Sequence, residues 1–83
     1  MVSRDEKEFQ IKIMAEKIAN RIHHYCIYKS NKKYIDCLLD ELNKYKYNPK
    51  LFYYLRIEIY KLIEYYQEAE KVFNAFAEWN SLK

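Results

Sequence analysis

Apolar residues recur three and four positions apart in three blocks of this chain, and each block reads as one face of a helix. In the first, Ile11, Ala15, Ile18, Ile22 and Tyr25 form a single stripe. Ser3 and Glu6 precede it at capping-box spacing, where the hydroxyl accepts from a first-turn amide and the carboxylate reaches back. A helix over about 4–28 is predicted. "KSNKK" follows, with Ser30 and Asn31 as suitable N-caps for a second helix over about 32–46. Its expected buried face is Ile35, Leu38, Leu39, Leu42 and Tyr45, with Asp36, Asp40, Glu41 and Lys44 in water. Asn48 is a natural cap for the next helix, and Pro49, with its φ already set, suits a first helical position.

The third block, about 49–79, carries the longest pattern. Phe52, Leu55, Ile59, Leu62, Tyr66, Ala69, Phe73 and Phe76 alternate spacings of three and four, a coiled-coil-like seam. With no Gly and a single Pro in 83 residues, tight hairpin turns lack their usual residue. The expected fold is therefore all-α: one domain, a small three-helix bundle with a long C-terminal helix.

The lengths do not match. At about 1.5 Å per residue the three helices would measure roughly 38, 22 and 46 Å. The second helix then covers the third only to about Ile63, and the first ends near the same level. Tyr66, Ala69, Val72, Phe73, Phe76 and Trp79 project past both neighbours, and Phe9, Ile11 and Ile13 overhang at the other end. Each large apolar side chain gains about 1.5–3 kcal/mol on full burial, so something is expected to cover them.

Two solutions exist. In one, the third helix stays straight and a second copy covers the overhang, which makes Tyr66, Ala69, Val72, Phe73, Phe76 and Trp79 a dimer interface. In the other, the helix breaks near residue 64 and folds back as a fourth. Ile35, Leu39 and Leu42 recur as Ala69, Phe73 and Phe76, a shift of 34 residues, which is a helical-hairpin repeat length. The spacing of Tyr53, Tyr60, Tyr66, Ala69 and Phe73 is similar to that of a tetratricopeptide repeat over about a third of the chain, which implies such a hairpin. Ile57, Glu64 and Phe76, however, stand where that family has small residues, the turn Gly included. No Gly or Pro after Pro49 supplies a cause for a break. The straight helix and a homodimer are the expectation.

The same helix has a second apolar side. Tyr53, Ile57 and Tyr60 share a face almost opposite the Phe52–Ile59–Tyr66 seam, with Tyr54 on its flank and Arg56 and Lys61 at its border. Tyrosine combines apolar area with a hydroxyl that tolerates water, which suits a contact with an unidentified partner protein. The plainer alternative makes these residues a half-buried rim of the bundle.

Composition narrows the function classes. Hydrophobic residues make up 51% and charged residues 33%, and no apolar run approaches the ~20 residues that cross a bilayer. The start, "MVSRDEKEF", has no apolar signal core. Cys26 and Cys37 accordingly read as reduced thiols of an intracellular, cytoplasmic protein, whose oxidation in air, should their helix ends approach, would be incidental. Abundant Lys, Ile, Asn and Tyr fit an AT-rich source such as a virus or plasmid.

No catalytic constellation is visible. The carboxylates of Asp5, Glu6, Glu8, Glu64, Glu68 and Glu70 fall on polar faces or in first turns, where burial does not tune them for acid–base work. His23 and Cys26 can share a metal, but adjacent His23 and His24 diverge by about 100° and only Cys37 could add a ligand. Neither enzyme activity, a cofactor, a metal nor a small-molecule substrate is expected. The expected function is a non-enzymatic regulator, adaptor or inhibitor that works by protein contact. The alternative is nucleic-acid binding by the turn "NKYKYNPKLFYY". There Lys44, Lys46 and Lys50 can track phosphates while Tyr47 and its neighbouring tyrosines stack on bases. A net charge of +3 does not decide between the two.

Overall fold

The protein is described by a computed structural model covering residues 4–81, with side-chain environments from Glu6 onward. Three helices and no strand occur among these residues: α1 (Arg4–Tyr28), α2 (Tyr34–Asn43) and α3 (Pro49–Ser81). Lys12 of α1 lies over Tyr54 near the start of α3, while Ile27 lines a common cleft with Leu62 and Tyr66 much further along it. So α1 and α3 run parallel, and α2 returns between them.

The core is small and assembled from all three helices. Ala15, Ile18, Ala19, Ile22 and Cys26 come from α1, Cys37, Leu38 and Leu42 from α2, and Leu51, Leu55 and Ile59 from α3. The two alanines remove bulk from the inner face of α1 and let its backbone approach its neighbours. Leu38, Leu55 and Ile59 are wholly shielded from solvent. On α1 the stripe closes with Cys26 instead of the expected Tyr25, which stays exposed at the edge.

The second helix is shorter than its pattern suggests. Ser30 does not cap it. Its hydroxyl accepts from the Lys32 amide within the loop, 3.0 Å away, and the helix opens on Lys33, whose carbonyl accepts from Cys37. At the other end, the amides of Lys44, Tyr45 and Lys46 bond carbonyls three residues back, the narrower winding of a 3₁₀ turn. The inward face is Cys37, Leu38 and Leu42, while Leu39 is exposed and Ile35 is only half buried. Asn48 behaves as expected: its side-chain oxygen accepts from Leu51 at 3.5 Å and its carbonyl from Phe52 at 2.8 Å. The proposed Ser3 cap lies outside the described residues.

The loop swings α2 back until Cys26 and Cys37 stand 5.7 Å apart between Cα atoms, and their sulfurs are joined as a disulfide. The reduced thiols expected from sequence are not what the structure holds.

α3 runs for 33 residues without a break, so neither a fourth helix nor the hairpin implied by the repeat-like spacing forms. The molecule is a rod, 65 Å long and 25 by 17 Å across. At its lower end Phe9 is exposed, but Ile11 packs against the core and Ile13 is half buried, so that overhang is shorter than expected. No described helix is long and apolar enough to cross a membrane.

Candidate interaction surfaces

The outer half of α3 begins where α1 and α2 stop. Tyr66 meets Tyr34 there, ring centroids 4.9 Å apart, and every residue from Glu64 to Ser81 is exposed. Tyr65 is 75% accessible, Val72 67%, Phe73 71%, Phe76 61% and Trp79 55%. With Ala69, these side chains fall on one side of the helix. Gln67, Glu70, Lys71, Asn74 and Glu78 occupy the other, by the rotation of about 100° per residue. All six residues predicted for a dimer interface therefore share one solvent-facing stripe. That stripe continues the core-facing side of α3, since Leu62 still packs on the core.

At the root of this half, α1, α2 and α3 frame a cleft of about 450 Å³ lined by His23, Cys26, Ile27, Tyr34, Leu62, Tyr65 and Tyr66. The His23 imidazole Nδ1 and the Tyr34 hydroxyl lie 2.6 Å apart beside it. Burial, and secondarily His24, holds the His23 pKa below its ordinary value. Burial, with Tyr66 adding to it, pushes the Tyr34 phenol up. Neither Tyr65 nor this cleft belongs to the surfaces expected from sequence. The signal was present in Tyr65, spaced three from Leu62 and four from Ala69, but the cleft needs all three helices.

On the opposite side of α3, Tyr53, Ile57 and Tyr60 do stand together on the outer surface, the tyrosines about half exposed. Arg56 lies over the Tyr53 ring at 6.0 Å. Tyr54 stands on their flank, its ring edge-on to that of Tyr53 at 5.2 Å; it is half buried, with the Lys12 ammonium 5.5 Å from its ring, and so links this face to α1. A groove of about 510 Å³ lined by Lys12, Glu16, Tyr53, Tyr54, Ile57 and Lys61 accompanies them.

The basic turn is partly committed to its own helix. Lys44 is ion-paired with Glu41 at 2.9 Å, which raises its pKa, while Lys46 lies 5.2 Å from the exposed Tyr47 ring. Lys50 is exposed at the start of α3. In the loop before α2, Lys32 is ion-paired with Asp40. Among the described residues, no three His, Cys, Asp or Glu side chains converge as metal ligands, and no charged side chain is buried. No protein-family model matches the chain, and no curated protein and no solved structure matches it either.

Proposed function

We propose that this protein is a helical protein-binding module that acts by occupying a partner's surface through α3 and not by catalysis. One observation carries the reading: the apolar stripe of Tyr65, Tyr66, Ala69, Val72, Phe73, Phe76 and Trp79 stands in solvent beyond the bundle. Contiguous exposed apolar surface of this extent marks interaction sites in other proteins. In this reading a second copy covers the outer half of α3, and the Tyr53, Ile57 and Tyr60 side meets a different protein. A regulator, adaptor or inhibitor works in this way.

The test is the mass in solution. Light scattering after size exclusion should give two chains for the unaltered protein and one for a Phe73→Glu, Phe76→Glu variant of equal helix content. A single chain at every concentration overturns the dimer. Nucleic-acid binding through Lys46, Tyr47 and Lys50 remains the second reading, favoured by the lysine–tyrosine pairing at that turn. A retarded band with single-stranded nucleic acid at low salt, lost steeply at moderate salt, would select it.

A further inference from the structure

Resting on the reading that a second copy covers α3, we propose that the two copies pair antiparallel along its outer half. Trp79 of each then enters the root cleft of the other. Leu62, Tyr65, Ala69, Val72, Phe76 and Trp79 alternate spacings of three and four. In an antiparallel coiled coil each layer joins the two kinds of seam position, one from each chain. Placed about a mirror point between Glu70 and Lys71, the six residues pair without a remainder: Ala69 with Val72, Tyr65 with Phe76, Leu62 with Trp79. Small side chains meet at the centre, where the helices approach most closely. Large ones meet at the ends.

The ends are where space exists. Leu62 and Tyr65 line the open cleft of about 450 Å³ beside His23, Ile27 and Tyr66, so the layer that seats Trp79 is also the one that offers it a recess. Tyr66 and Phe73 flank the seam on one side and face each other across the pair. The parallel alternative stacks Trp79 on Trp79 at the far tip and leaves both clefts empty. It also forces the two bundles to lie side by side at the same level. Antiparallel pairing places them at opposite ends of the joint.

The area is of the right size. A buried aromatic side chain hides about 150–250 Å². From the exposures of Tyr65, Phe73, Phe76 and Trp79, with Tyr66 and Val72 added, each copy offers roughly 600 Å². A standard interface takes about 800 Å² per partner, and the backbone and polar flanks of the helix supply the difference.

Cross-linking tests the register. Tyr65→Cys and Phe76→Cys are made separately, both at exposed positions, with the native Cys26–Cys37 pair intact. In the proposed pair, position 65 faces position 76, whereas two copies of position 65 lie about 16 Å apart along the axis, beyond disulfide reach. Oxidising an equimolar mixture should join one variant to the other about tenfold more than either to itself. If each variant joins to itself, the pairing is parallel and the register is overturned, while association through α3 stands. If nothing is joined and the unaltered chain has the mass of one copy at all concentrations, the second-copy reading falls as well. Should the substitutions themselves prevent association, Trp79, the single tryptophan, decides in the unaltered protein. Shielding of its fluorescence from acrylamide in the dimer, lost on dilution to monomer, supports the seat; equal quenching in both overturns it.

Discussion

The ring of Tyr34 on α2 lies 4.9 Å from that of Tyr66 on α3, and this tilted pair is the last rung between α3 and the bundle. Below it the helix is held by Leu51, Leu55 and Ile59. Above it every described residue to Ser81 is exposed. Tyr34 also meets the His23 ring edge-on at 5.6 Å, so all three helices converge at the point where the bundle ends. The geometry separates a packed half of α3 from a half whose stability depends on what it touches.

That separation predicts a concentration-dependent helix. An isolated helix shorter than about 12–15 residues is marginal in water, and the segment above Tyr66 is of that length. In hydrogen exchange, the amides of 70–81 should exchange rapidly when the protein is dilute and become protected as it concentrates. Amides near Leu55 and Ile59 should stay protected throughout.

Leu55 tests the other half. It is wholly buried between α1 and α2, and leucine-to-alanine changes at such positions cost about 2–5 kcal/mol. A chain of this length has a total stability of roughly 4–12 kcal/mol. Leu55→Ala should therefore lower the urea midpoint sharply or unfold the bundle, as read by circular dichroism. Val72→Ala, at an exposed position, should leave the midpoint of the dilute protein within about 0.5 kcal/mol.

The disulfide adds its own contribution. Cys26 and Cys37 are 11 positions apart, and closing a loop of that size restricts the unfolded chain by about 3 kcal/mol in the chain-entropy account. Reduction should lower the melting temperature by on the order of 10–20 °C for a domain of this size. Calorimetry with and without dithiothreitol measures it. An unchanged midpoint would mean that the two sulfurs are not joined in solution.

His23 makes stability depend on pH. Burial lowers its pKa from the ordinary 6.5, so near and below that pH the folded chain binds fewer protons than the unfolded one. Stability then rises with pH through the window. It is fully present above the unfolded value of about 6.5 and declines as pH falls towards the depressed folded value. Thermal melts between about pH 7 and pH 5 should show this decline, and His23→Gln should flatten it.

Much of this molecule is written in local pattern. The three- and four-residue spacing marks three helices, Asn48–Pro49 marks the start of α3, and an unbroken run without Gly or Pro keeps that helix straight. The excess length of α3 over its companions follows from counting residues, because rise per residue is a property of the backbone and not of its surroundings. The face of α2 did not follow: Cys37 is buried and Leu39 exposed, because packing against α1 and α3 decides how the helix is turned about its axis. The joining of Cys26 to Cys37 could be raised from sequence but not decided, and the contact of Lys12 with Tyr54 and the root cleft were out of reach. Each depends on distances between residues far apart in sequence, and those are set only when side chains from different helices compete for the same space.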